Sequence, residues 1–131
     1  MVERNAGSVE VIGSIPISSI YNIKLLMNNK TIEIIKEQIR TNKIILYMKG
    51  TPKFPQCVFS AKAVNCLIKY LKVFKFINVL DNIHIRYELP KLSNWPTFPQ
   101  LWVNSNLIGG SDIIVEMYKN GELKKIIKNL K

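Results

Sequence analysis

Cys57 is the residue whose type and position most directly offer chemistry. It follows the loop Lys49-Gly50-Thr51-Pro52-Lys53-Phe54-Pro55-Gln56 and stands where an amphipathic helix begins. A thiol at a helix start faces the positive end of the dipole and several unpaired N–H groups, which favours the thiolate and lowers its pKa. Lys49 and Lys53 add positive charge nearby. The competing reading is an inert, buried cysteine used as a small hydrophobe. Cys66, the other cysteine, fits that description, because it falls mid-helix on the apolar stripe. Nine helical residues separate the two by roughly 13 Å at ~1.5 Å per residue, so they cannot pair within the helix.

Ser60 stands three residues after Cys57, where a C-x-x-C motif would carry its second thiol. No disulfide can close between these positions, so a redox cycle must borrow an external thiol, or else the thiolate serves as a metal ligand. In Trp95-Pro96-Thr97-Phe98-Pro99-Gln100, Pro99 directly precedes an apolar run. That placement fits either a special turn with a cis bond or an ordinary loop proline. Gly109-Gly110-Ser111-Asp112 opens a helix and can present N–H groups to a carboxylate, although Ser111 or Asp112 as a simple N-cap explains it equally well. His84 and Arg86, on a short helix, are uninformative alone.

The elements that must position these residues follow from periodicity. Ile32, Ile35 and Ile39 share one face of a first helix, with Thr31 as its N-cap. Ile44-Ile45-Leu46-Tyr47-Met48 reads as a strand buried on both faces, stopped by Gly50, Pro52 and Pro55. After Cys57 comes a helix with the stripe Ala63, Cys66, Leu67, Tyr70 and Leu71. Phe74 to Leu80 reads as a second buried strand, and Asp81 to Leu89 as a short helix stopped by Pro90. Leu101-Trp102-Val103 is a third strand, followed by a turn at Asn104-Ser105-Asn106 and a fourth strand through Leu107-Ile108. A helix from Ser111, with Ile114, Met117 and Tyr118 on its apolar face, ends at Gly121. The tail adds an amphipathic turn or two through Leu123, Ile126 and Ile127. This order gives a parallel βαβ unit and a hairpin in one sheet, an α/β arrangement of thioredoxin type.

With 131 residues, 47% of them hydrophobic, the chain is sized for one domain with an ordinary core. No apolar run approaches the roughly 20 residues of a membrane span. The two cysteines point to a reducing compartment rather than a disulfide framework. A formal net charge of +10 could attract nucleic acid, but the lysines are scattered among Ile and Asn, so the charge reads as a solvated basic surface compatible with an anionic ligand. Residues 1 to about 29 show no clear period, and Gly13 to Ser19 reads as loop or disorder. Glu3 and Glu10 argue against a targeting peptide, which favours a cytoplasmic location.

Met48-Lys49-Gly50-Thr51-Pro52, Pro55-Gln56-Cys57-Val58-Phe59-Ser60, Trp95 to Trp102 and Gly109 to Asp112 occur here in the order and spacing of the monothiol glutaredoxins, which the chain resembles over about Thr31 to Lys131. The stretch from Arg86 to Trp102 is especially similar to bacterial single-domain members. The resemblance implies a glutaredoxin-like thioredoxin fold, a central four-stranded mixed sheet flanked by helices. It implies that residues 1–26 are a disordered extension or a misassigned start, with Met27 opening a domain over residues 27–131. It also implies a glutathione site in which Cys57 is the reactive thiolate. Lys49 and Arg86 would meet the glycine-end carboxylate. Phe98, ahead of a cis Pro99, would offer its main chain to the tripeptide, with Thr97 beside it. Ser111 and Asp112, with Gly110, would hold the γ-glutamyl end, and Phe59 would line the groove. Two Cys57 thiolates and two glutathione thiols would complete one [2Fe-2S] cluster in a homodimer. The implied roles are cluster storage or transfer to apo iron–sulfur proteins, glutathione-dependent thiol oxidoreductase activity, or regulation with a BolA-like partner. The family's usual Cys-Gly-Phe-Ser is here Cys57-Val58-Phe59-Ser60, which puts a β-branched residue where another subunit comes close. Ser111 stands where many members have cysteine, and the hairpin turn lacks the usual glycine.

Overall fold

The computed structural model describes residues 17–130, with side chains from Ile20 onward. Its elements run α1 (Ile17–Thr41), β1 (Ile44–Met48), α2 (Val58–Leu67), β2 (Lys75–Asn78), α3 (Ile83–Ser93), β3 (Gln100–Val103), β4 (Asn106–Gly109), α4 (Ser111–Asn120) and α5 (Glu122–Lys128). The strands form one mixed sheet in the order β2-β1-β3-β4. β1 is parallel to β2 and antiparallel to β3, and β3 is antiparallel to β4.

The central strand β1 explains how the sheet is covered. Successive side chains of a strand point to opposite faces, and here both faces are dry. Leu46 and Met48 join Ala63, Val64, Leu67, Leu101, Val103, Ile114 and Leu123 in one core beneath α2, α4 and α5. Ile45 and Tyr47 join Ile35, Ile39, Val79, Ile85 and Leu89 in the other, beneath α1 and α3. Tyr47 keeps its hydroxyl paired by donating to Gln38 Oε1 at 2.8 Å, and burial pushes its phenol pKa up.

Several boundaries differ from the sequence expectations. α1 begins at Ile17, so residues 17–29 are helical rather than loop, and Thr31 lies inside the helix instead of capping it. Its hydroxyl donates to the Met27 carbonyl one turn back at 3.0 Å, a common way for an interior threonine to satisfy itself. The expectations for residues 1–16 fall outside the described residues. α2 ends at Leu67, leaving Tyr70 and Leu71 beyond its end. β2 is an edge strand of partly exposed residues rather than a buried one.

Pro90 does not stop α3, which runs through it to Ser93 and ends on left-handed Asn94, φ 54°. The hairpin turn takes positive φ at Asn104 (50°) and Ser105 (66°), and Gly121 at φ 86° closes α4 as anticipated. No helix among the described residues is long and apolar enough to cross a membrane.

Candidate functional site

Cys57 is the N-cap of α2, with extended backbone at φ −155° and ψ 136°, and its carbonyl accepts from the Ala61 N–H at 2.9 Å. The preceding loop is forced back on itself. Gln56 N–H donates to the Lys49 carbonyl at 2.9 Å, Gly50 and Pro55 form an isolated bridge, and Thr51 and Phe54 exchange main-chain bonds at 3.2 and 3.0 Å. Gly50 makes this reversal at φ +93°, where a Cβ would lie 2.6 Å from both Gln56 N and Phe54 O. The loop therefore delivers Cys57 to the end of β1 in a fixed direction.

The thiol is partly exposed. Burial pushes its pKa up, but the Ser60 and Phe59 N–H groups, the Lys49 charge and the Ser60 hydroxyl outweigh that effect and hold it below the ordinary thiol value. Ser60 is fully buried, and its Oγ accepts from the Lys49 N–H at 3.1 Å. A hydroxyl whose lone pair is engaged by an N–H keeps its own proton free to donate, and this hydroxyl is one of the groups that favour the Cys57 thiolate. Cys66 behaves oppositely. Buried in the core, it is pushed above the ordinary value by desolvation, which Lys119 and Lys69 only partly offset.

A groove of about 570 Å³ opens beside Cys57. Lys49, Cys57 and Phe59 line it from the β1–α2 side, Arg86 from α3, Thr97 and Phe98 from the loop before β3, and Gly110, Ser111 and Asp112 from the start of α4. These residues come from across the sequence, and the fold brings them to one place. Pro99, expected at the site, is buried and is not among the residues lining the groove, and it carries a cis bond to Phe98. Its carbonyl lies 3.3 Å from where a Gly110 Cβ would be, and Trp95 Nε1 lies 3.4 Å from that point, so glycine permits the loop and α4 to meet.

Pro90, Trp95, Pro96 and Ile113 also line the groove, and sequence reasoning assigned them no site role. It also missed Gln100, which is fully buried in β3. Gln100 Nε2 donates to the carbonyls of Trp95 at 2.9 Å and Thr97 at 3.4 Å, and its Oε1 accepts from Trp102 Nε1 at 3.2 Å. The available signal was a polar side chain inside an otherwise apolar strand, since a buried amide must find partners.

A cation-flanked thiol at a helix start, beside a cis-proline loop on a four-stranded mixed sheet, defines a thioredoxin-fold protein with one thiol at its site. Comparison with known proteins narrows the class. Residues 44–108 match the Glutaredoxin family model. The chain is 57% identical over 99 residues to Glutaredoxin 4 of Haemophilus ducreyi, covering 76% of this chain and 92% of that protein. It is 56% identical over 98 residues to Glutaredoxin 4 of Escherichia coli K12, covering 75% and 85%. Among solved structures, reduced apo GrxS14 from poplar is 40% identical, covers 75% of this chain and 90% of its own, and superposes with a TM-score of 0.64. The chain belongs to the monothiol glutaredoxin family.

Proposed function

We propose that the protein binds glutathione in the groove beside Cys57 and, as a homodimer, carries a [2Fe-2S] cluster as cargo for delivery to apo iron–sulfur proteins. The observation that carries this reading is the pairing of a thiolate-favoured Cys57 with a groove whose walls hold Lys49, Arg86 and the start of α4. The two cations suit the glycine-end carboxylate of glutathione. The main chain of Phe98, with Thr97 beside it, suits pairing with the tripeptide backbone. The α4 start at Gly110 and Ser111, with the Asp112 carboxylate, suits the zwitterionic γ-glutamyl end. Phe59 supplies apolar wall.

The donor set fits the proposed cargo. Among the described residues no group of three or more His, Cys, Asp or Glu side chains could hold a metal, and Cys66 is in the core on the far side of α2. One chain thus offers one thiolate, whereas iron in such clusters prefers four sulfurs. Two subunits and two glutathione thiols would make up that number, and the exposed apolar side chains of Phe54 and Phe59 around Cys57 give a second subunit a surface to meet. The functional unit in this reading is residues 27–131, acting in a reducing cytoplasm.

A second reading rests on Val58, which is 68% exposed beside the thiol and occupies the face that a second subunit would approach. In this reading the Cys57 thiolate attacks the glutathione sulfur of a protein mixed disulfide, forming a Cys57–glutathione disulfide and releasing the protein thiolate. A second glutathione thiolate then attacks, yielding glutathione disulfide and free Cys57. Regulation with a BolA-like protein is a third use of the same face.

Anaerobic reconstitution with iron, sulfide and glutathione, followed by visible absorption and native mass, tests the proposal. A glutathione-dependent dimer with one cluster, lost in Cys57→Ser, supports it. No cluster in the wild type, together with brisk Cys57-dependent turnover of a glutathione mixed disulfide, replaces it with the second reading.

A further inference from the structure

Asn78 ends β2, opposite Met48 in the parallel ladder, and none of the roles above uses it. Its side chain reaches across to the loop that leads to Cys57. Oδ1 accepts from the Gly50 N–H at 2.9 Å and from the Leu80 N–H at 3.0 Å, while Nδ2 donates to Asp81 Oδ2 at 3.2 Å. Its main-chain carbonyl accepts from Asn82 Nδ2 at 2.8 Å and from the Asp81 N–H at 3.1 Å. Asn82 is the N-cap residue of α3, and its carbonyl accepts from the Arg86 N–H at 3.0 Å. One residue therefore joins the root of the thiol loop to the first turn of the helix that carries Arg86.

Gly50 is where the loop's two ends touch, with no room for a Cβ between its backbone and those of Phe54 and Gln56. Lys49, its neighbour, gives its N–H to Ser60 Oγ and takes the Gln56 N–H on its carbonyl. Lys49 is thus held on both sides, provided that Gly50 is held too. Asn78 Oδ1 is the side-chain group that holds it. Without that acceptor, the Gly50 N–H is left unpaired at a part-buried position, and the loop gains by turning it towards water.

We propose that Asn78 is a positioning residue for the Cys57 site. Through the Gly50 N–H and the α3 start, it fixes the Lys49 ammonium relative to both the thiol and Arg86. The thiol part of this inference stands on the hydrogen bonds alone. The part concerning Arg86 rests on the reading of the groove as a glutathione site.

Asn78→Leu removes the acceptor while keeping the branched shape, and the double variant Asn78→Asp/Asp81→Asn keeps both the acceptor and the side-chain bond to position 81 at unchanged net charge. The rate of Cys57 alkylation by iodoacetamide is followed against pH in the full chain, with labelled peptides resolved by mass so that Cys66 is read separately. Exchange of the Gly50 amide is followed by NMR, and glutathione binding by calorimetry. In Asn78→Leu the alkylation profile moves to higher pH, the Gly50 amide exchanges faster, and glutathione binds roughly tenfold more weakly. Asn78→Asp/Asp81→Asn restores all three towards wild type.

A merely structural role would lower the melting temperature without moving the alkylation profile of the folded protein. An unmoved profile in Asn78→Leu, or Asn78→Asp/Asp81→Asn as impaired as Asn78→Leu, overturns the inference. Should Asn78→Leu fail to fold, Asn78→Ser, whose hydroxyl is one bond shorter, is read in the same way. If wild type binds no glutathione, the function proposal fails, while the alkylation and exchange measurements still decide the role of Asn78.

Discussion

Ser60→Ala separates two effects that the structure assigns to one hydroxyl. Ser60 is fully buried, and its Oγ is the acceptor for the Lys49 N–H at 3.1 Å. Alanine fits the space but leaves that part-buried N–H without its partner. An orphaned buried donor costs ~1–3 kcal/mol, and partial access to water places Lys49 near the lower end. For a domain of this size ~1 kcal/mol corresponds to about 3–6 °C in melting temperature.

The second effect is on the thiol. The Ser60 hydroxyl is one of the groups holding the Cys57 pKa down, together with the Ser60 and Phe59 N–H groups and Lys49. Removing it raises the pKa, and because only the thiolate attacks iodoacetamide, the whole rate profile moves to higher pH. The N–H groups of the helix start remain, so the value stays below that of Cys66, which burial pushes up. The assay pairs urea unfolding with peptide-resolved alkylation across pH. An unchanged alkylation profile in Ser60→Ala would refute the idea that this hydroxyl favours the thiolate, whatever happens to stability.

Gly50→Ala forces a side chain into left-handed backbone, at ~1–2 kcal/mol, and against Gln56 N and Phe54 O at 2.6 Å. With the loop's hydrogen bonds lost as well, a destabilisation of about 3 kcal/mol or more is expected in urea melts, with slower Cys57 alkylation near neutral pH. In the proposed glutathione site, Arg86→Ala removes one cationic partner of the glycine-end carboxylate and should weaken glutathione binding about 10- to 100-fold by calorimetry, with stability nearly unchanged. Stability should also depend on pH through both thiols. The lowered Cys57 pKa adds stability relative to Cys57→Ser that is present above the ordinary thiol value and lost as pH falls through its folded value. The raised Cys66 pKa works the other way, with stability present below the ordinary value and lost as pH rises through its folded value, as urea melts at stepped pH against Cys66→Ala would read.

The parts of the fold that were legible are those where burial leaves a simple pattern. β1 is dry on both faces, so it reads as a continuous apolar run ended by breakers, and the helix after Cys57 shows a single stripe. The errors arise where the pattern has more than one cause. Phe74 to Leu80 is apolar enough to pass for a central strand, yet it lies at the sheet edge with its residues partly exposed. Residues 20–29 of α1 carry exposed Ile20, Tyr21, Ile23, Leu25, Leu26 and Met27 around the helix rather than along one stripe. No amphipathic period could announce that segment, although nothing from Ile17 to Thr41 breaks a helix. Pro90 reads as a stop because it lacks an N–H, yet α3 keeps helical geometry on either side of it.

The site divides along a similar line. Cys57, Lys49, Phe59, Arg86, Thr97, Phe98, Gly110, Ser111 and Asp112 could be named from the sequence and line one groove. Some of these residues announce themselves by local chemistry, a thiol after loop breakers or small residues opening a helix, and the others by their place in a family-like motif. Gln100 and Asn78 could not be named, because their importance lies in bonds made to main chain elsewhere. The Asn78–Gly50 bond spans 28 positions, and nothing in either residue type predicts the other. The thiol's reactivity therefore has two layers of cause. The helix start that lowers its pKa is written locally, around Cys57 and Ser60. The register that places Lys49 beside it exists only once β1 and β2 have paired, so a substitution at the end of β2 can alter a thiol to which it is not bonded.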